Sequence, residues 1–182
     1  MRRFLPLAAA LVAALPVVGH AQGAAPAQPI ELGIDGGIAF GLDSPHYTAI
    51  ALPGQRFRVG FFTRENLSIE PSAAINYLHV GGVSSTGLLL DGSVLYHFAP
   101  TTSGSRVYLR PYVGVDYARA SSDNGSDSQT QLHFGGGLGV KVPLVPRLAT
   151  RLEANLEHAL KAGNTPANTL LGLSVGLSFF TR

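Results

Sequence analysis

Several groups of residues in this 182-residue chain have the types and spacing that could support chemistry. Gly172-Leu173-Ser174-Val175-Gly176 has the Gly-x-Ser-x-Gly spacing of a nucleophile elbow, in which a sharp strand-to-helix turn lifts the serine hydroxyl clear of the backbone. Gly135-Gly136-Gly137-Leu138-Gly139 has the glycine density of a phosphate-cradling loop. Glu157-His158 offers a carboxylate beside an imidazole, and Ser121 to Ser128 carries the oxygen ligands that a hard cation favours. Each needs a particular element to position it. The serine lies in an alternating run with no helical pattern after it, and the glycine cluster leads into Val140-Lys141-Val142-Pro143, which reads as strand and turn. Ser121 to Ser128 does not have the spacing of a calcium loop and reads as a solvated connection. No residue of these groups is assigned a catalytic, cofactor-binding or metal-binding role.

The elements themselves repeat one pattern. Residues 30 to 42 place Ile30, Leu32, Ile34, Ile38, Phe40 and Leu42 on one parity and Glu31, Gly33, Asp35, Gly37 and Gly41 on the other. A period of two puts these sets on opposite faces of a strand. The same alternation recurs over residues 54 to 63, 67 to 79, 87 to 98, 107 to 119, 131 to 142, 148 to 158 and 169 to 180, and every charge within the eight runs except Arg119, at the end of its run, falls on the non-apolar set. That set is dominated by Gly, Ala, Ser and Asn, whereas a soluble barrel would face water with Lys, Glu and Thr. Small polar residues suit a cramped interior, so the apolar face points outward into lipid. Antiparallel neighbours then gather Phe40, Phe57, Tyr77, Tyr117 and Phe134 near one rim and Phe61, Tyr96, Phe98 and Phe179 near the other, matching the two interfaces of a bilayer. The expected fold is all-β: an eight-stranded antiparallel up-and-down transmembrane barrel.

The chain's start reads as an export signal. Arg2 and Arg3 precede an apolar run from Leu5 to Val18 that ends in Gly19-His20-Ala21, so residues 1 to 21 are expected to be a cleaved signal peptide. Residues 22 to 29, rich in Ala, Gln and Pro, read as a disordered leader, and residues 30 to 182 as the barrel. Loss of the signal removes two of the 13 basic residues and leaves as many basic as acidic groups, a balance without the electrostatic footprint of a nucleic-acid binder. The chain has no Cys, which excludes disulfide and thiolate chemistry.

In these features the chain resembles the small eight-stranded outer-membrane barrels of the OmpA and OmpX type, the group of outer-membrane beta-barrel domains. The carriers are the signal peptide, the eight alternating strands and the last strand from Leu171 to Phe179, which looks like the terminal assembly signal of such barrels. That signal usually ends on the aromatic, whereas here Phe180, Thr181 and Arg182 follow. The resemblance implies export through the Sec pathway to the bacterial outer membrane, contact with its lipids and recognition by the barrel assembly machinery. It also implies a surface role through outward connections at 43 to 55, 80 to 86, 120 to 129 and 159 to 168, where an extracellular ligand would bind. The turns at 64 to 66, 99 to 106 and 143 to 147 face the periplasm.

A narrower likeness concerns Glu157-His158 with Gly163-Asn164, Pro166 and Asn168, which is similar to the region around the catalytic His of lipid A 3-O-deacylase barrels. That family pairs its His with a Ser two residues later; the matching position here is Leu160. The inward charges Glu31, Asp35, Glu70, Asp91, Asp116, Glu153 and Glu157 and their counter-charges Arg56, Arg58, Arg110, Lys141 and Arg151 are expected to form a paired structural network. His97 and His133 share that face at opposite ends, which argues against one metal site. The reading that results is an envelope structural or surface-interaction barrel without evident catalysis, with a small-solute channel or a lipid A-modifying enzyme as alternatives.

Overall fold

The computed structural model describes residues 29–43, 46, 48–80, 83–100, 102–122 and 125–181, with the side chains of 49–55 and 78–80 left aside. The expected signal peptide and nearly all of the leader lie outside these residues. Eight strands follow one another in chain order: β1 Ile30–Gly41, β2 Thr48–Arg64, β3 Leu67–Val80, β4 Val83–His97, β5 Arg106–Ser122, β6 Gly125–Val145, β7 Leu148–Ala159 and β8 Asn168–Phe180. Each pairs antiparallel with its neighbours, and β1 pairs with β8, so the sheet closes into a barrel with no free edge. Closure satisfies the backbone within the sheet, which is what a strand-built membrane span requires.

The alternation decides the faces as expected. Leu90, Val113, Leu132, Leu138 and Leu173 stand on the outside, each about half exposed on the isolated chain, while Glu31, Glu70, Tyr108 and Arg151 are buried inside. In β5 and β6 the outer face changes character at Tyr117, which pairs with Thr130: beyond it the outward residues are Arg119, Ser121, Ser126 and Ser128. Those pairs therefore mark where the hairpin leaves the apolar layer for water.

Three outward connections are shorter than the sequence suggests, because the strands continue through them. β2 already begins at Thr48 within the expected 43 to 55 loop, β3 and β4 consume all of 80 to 86 except 81 and 82, and β5 and β6 pair up to Ser122 and Gly125 within 120 to 129. Polar and small residues there removed the alternation that marks a strand, yet ladder hydrogen bonds do not need it. The connection at 159 to 168 remains a loop, folded back by a bridge between Ala162 and Thr165. The turn at 143 to 147 narrows to Pro146-Arg147, with Arg147 at φ 70°.

The earlier start of β2 also corrects one girdle residue. Phe57 pairs with Ile34 and Ala73 in the middle of β1 and β3, not near a rim. Between Gly37, opposite Ala51, and Asp35, opposite Arg56, the β1–β2 register shifts around Pro53-Gly54. Proline cannot donate to the ladder, so the irregularity falls where the sequence tolerates it. At the chain's end, Phe180 and Thr181 prolong the ladder: Phe180 N–H donates to Arg147 O at 2.9 Å and Thr181 N–H to Ile30 O at 3.0 Å.

Two outcomes follow from these faces. Leu138→Arg should cost about 2 to 4 kcal/mol in equilibrium unfolding from lipid vesicles, whereas Thr130→Arg, on the same outer face but at the edge of the apolar layer, should cost at most about 1 kcal/mol. Deletion of residues 121 to 128 joins Ala120 to Gln129 next to the Ala118–Gln129 pair. Because only the hairpin tip is lost, the truncated barrel should still show the gel-mobility shift of a folded membrane barrel.

Candidate functional site

The lumen is where the structure concentrates its ionisable groups. Alternation sends one side chain in every two inward, and eight strands leave an interior just wide enough for side chains to fill. Long charged residues therefore meet at the axis. Arg58 of β2 donates from Nη1 to Glu31 at 2.6 Å, from Nε to Asp35 at 2.8 Å and from Nη2 to Ser178 Oγ at 2.8 Å. Arg151 of β7 crosses the barrel to Glu70 of β3 at 2.8 Å and also reaches Glu153 at 2.7 Å. Arg110 of β5 holds Glu153 through Nη2 at 2.6 Å and Nε at 3.0 Å. Lys141 of β6 closes the set on Glu31 at 2.5 Å.

Four bases thus face four acids, all buried. Tyr108, fully buried, joins them by donating to Glu153 at 2.7 Å while its hydroxyl oxygen accepts from Arg151 Nε at 2.5 Å. The result is an ionic plug that spans β1, β2, β3, β5, β6 and β7.

The glycine cluster of β6 explains how β5 reaches β7 across the strand between them. A Cβ at Gly139 would collide with the Tyr108 ring, one at Gly135 with Tyr112, and one at Gly137 would lie 2.7 Å from Glu153 Oε1. Gly135, Gly137 and Gly139 are therefore the recess in which the β5–β7 contacts sit. This is a packing role, and the cluster is strand throughout. The serine of the Gly-x-Ser-x-Gly pattern is likewise in mid-strand, and its flanking Gly172 and Gly176 make space for Asn155 and Asp35.

A second, smaller network lies nearer the loop end. Asp91 Oδ1 is 2.7 Å from His133 Nε2, its Oδ2 accepts from Ser72 at 3.1 Å, and Arg56 approaches to 3.6 Å. Tyr112 donates to Glu157 at 3.1 Å. His97 belongs instead to the plug's other side, with Nε2 3.1 Å from Lys141 Nζ, so the two histidines are in separate networks as the strand directions indicated. Above the plug a cavity of about 600 Å³ opens toward the loop end, bordered by Arg56, Asn76, Asp116, Asn155 and Glu157. Below it a cavity of about 430 Å³ opens at the turn end.

His158 stands apart from both networks. Its Nδ1 is 3.1 Å from Thr169 Oγ1 on β8, and its ring packs 5.6 Å from that of Phe134. The hydroxyl beside it thus comes from the neighbouring strand, a partner that same-strand spacing could not reveal; Leu160 is exposed. Asp43 accepts from Thr169 N–H at 2.5 Å, so Thr169 also anchors the first loop. The arrangement ties a loop to the barrel rim.

Removing one acid from the plug should be costly. Glu153→Ala leaves Arg110 and Arg151 short of a counter-charge in a buried setting, and should lower unfolding stability in lipid by about 3 to 5 kcal/mol. Glu157→Ala, which loses a single bond from Tyr112, should cost about 1 kcal/mol in the same measurement.

Comparison with known proteins agrees with this architecture. The model of the outer membrane protein beta-barrel domain matches residues 7–179. No curated protein matches the chain. Among solved structures it is similar to the neisserial surface protein A, NspA, with a TM-score of 0.68 and 16% identity over 82% of this chain and 96% of that one. It is also similar to Ail, the attachment invasion locus protein of Yersinia pestis, with a TM-score of 0.55 and 13% identity over 84% of this chain and 96% of that one. At such identities the likeness is one of fold. Outward apolar face, charged interior, closed eight-stranded sheet and family match converge on one conclusion: the chain belongs to the outer membrane protein beta-barrel domain family and resides in the bacterial outer membrane.

Proposed function

We propose that this protein is a closed outer-membrane anchor with an envelope structural and surface-interaction role, and that it neither conducts solutes nor catalyses a reaction. The observation that carries this reading is the plug. Arg58, Arg110, Lys141 and Arg151 are matched by Glu31, Asp35, Glu70 and Glu153 across the axis, and each member is buried. A water path along the axis would hydrate such groups individually; a paired and desolvated set fills it instead. The cavities above and below are separated by these side chains.

The surface half of the proposal rests on the β5–β6 hairpin. Beyond Tyr117 and Thr130 both of its faces are polar or small, with Arg119, Ser121, Ser126 and Ser128 outward and Ala118, Ala120, Asp127 and Gln129 on the other parity. Such a ribbon suits neither lipid nor lumen. At about 3.3 Å per residue it projects on the order of 15 Å past the apolar layer. Its neighbour, the loop from 160 to 167, is fastened over β6 by Gln131, which donates to Leu160 O at 2.8 Å and Pro166 O at 3.2 Å. In this reading the loop end faces the exterior, outer-membrane lipids surround the apolar band, and the barrel assembly machinery recognises β8.

The decisive measurement is single-channel recording in a planar bilayer. The purified barrel should give no steady, long-lived openings. Sustained conductance that changes when Glu153 or Arg110 is neutralised would establish a gated channel and remove the structural reading. For the enzymatic alternative, expression should leave the mass of lipid A unchanged; a loss of acyl mass that disappears in His158→Ala would establish an acyl hydrolase.

A further inference from the structure

Closure gives every strand two neighbours, yet one seam is joined along only part of its length. β2 and β3 pair from Arg64–Leu67 up to Arg56–Ala74 and, among the described residues, no further. Toward the loop end β2 continues with β1, from Gly37–Ala51 to Phe40–Thr48, and β3 with β4, from Ile75–Leu88 to Val80–Val83. The split starts before Tyr77, a member of the loop-end aromatic ring, and so lies inside the apolar layer. Its edge is bare: Ile75 and Tyr77, at 66% and 68%, are the most exposed outward apolar side chains among the described residues. Unpaired backbone at this depth is tolerated where it lines a wet cavity, and the loop-end cavity of about 600 Å³ supplies one. That cavity touches Arg56 and Ala74 at the foot of the split and also Tyr77, a residue of the outer face. Cavity and bilayer therefore meet between β2 and β3.

The charge of the lumen defines what such a cavity attracts. The plug occupies Arg58, Arg110, Lys141 and Arg151, while Arg56 and His133 are turned to Asp91. Asp116 and Glu157 are left over. Among the described residues no base lies within ion-pair distance of either, and Glu157 receives only the Tyr112 hydroxyl. Both border the loop-end cavity, beside the uncharged Asn76 and Asn155. A carboxylate in a narrow lumen without its counter-charge favours a cation from outside.

We propose that the loop-end cavity is a binding site for a single-chain amphiphile with a primary ammonium head, taken up sideways from the adjoining leaflet. Asp116 and Glu157 receive the ammonium, and the chain passes through the split to rest on Ile75 and Tyr77. The plug closes the cavity below, so the occupant is held rather than passed along the axis. The site is therefore compatible with a barrel that does not conduct.

The test uses the full mature barrel, labelled with nitrogen-15, in phosphatidylcholine nanodiscs at neutral pH, titrated with dodecylamine and, in parallel, with dodecanoate and propylamine. Dodecylamine should shift the backbone amides of Asn76 and Gly87 saturably, because both residues line the cavity. Dodecanoate has the same chain with the opposite charge, and propylamine the same head without a chain to lay in the split; each should bind at least about tenfold more weakly. Asp116→Asn combined with Glu157→Gln should weaken dodecylamine binding by about tenfold. Tyr77→Ala, a change on the outer surface, should weaken it in the same direction and guards against a carboxamide variant that fails to fold. Amides that do not respond saturably to dodecylamine, or an affinity unchanged in the folded carboxamide variant or in Tyr77→Ala, overturn the proposal. Dodecanoate binding as tightly as dodecylamine overturns the ammonium head, and propylamine binding as tightly overturns the sideways opening.

Discussion

A charge that points into an eight-stranded barrel must find its counter-charge inside, because neither the lipid outside nor the narrow lumen can solvate it. Most of this structure follows from that requirement. It dictates that Arg151 reach Glu70 on the far wall, that Arg58 gather three carboxylates, and that Tyr108 mediate between Arg151 and Glu153. It dictates in turn where no side chain can be, since contacts from β5 to β7 cross β6 only over Gly135, Gly137 and Gly139. The glycines of β6 and the long residues of β5 are two halves of one packing solution.

How much of this the sequence disclosed depends on which physical signal each part leaves. The faces were legible because alternation at a period of two is enforced by lipid on one side and a polar lumen on the other; Leu138 and Leu173 outside, Glu153 and Arg151 inside needed no further information. The list of inward charges was equally legible. Strand ends were not, since beyond the bilayer the constraint that writes the pattern disappears while the ladder continues, as in Ser121 opposite Ser126. That same loss placed Phe57 too near a rim.

Pairing partners were beyond reach for a different reason. Which acid meets which base depends on the stagger of the closed sheet, so Lys141 with Glu31 and His158 with Thr169 emerge only from three-dimensional register. Patterns that imitate catalytic motifs, such as Gly172 to Gly176, arise because a barrel strand places a small residue at every second position.

The connectivity of Arg58 bears on how the chain reaches its final state. Its guanidinium sits on β2 yet bonds to β1, to β3, and to Leu177 O and Ser178 of β8, the strand made last. Lys141 and Arg151 likewise depend on partners from the opposite half of the ring. In a sheet not yet closed these groups would remain hydrated, and their water must leave when β8 docks on β1. Zipping the seam and drying the core are then a single event, so the highest barrier in assembly belongs to the final strand and partly closed forms gain little stability of their own.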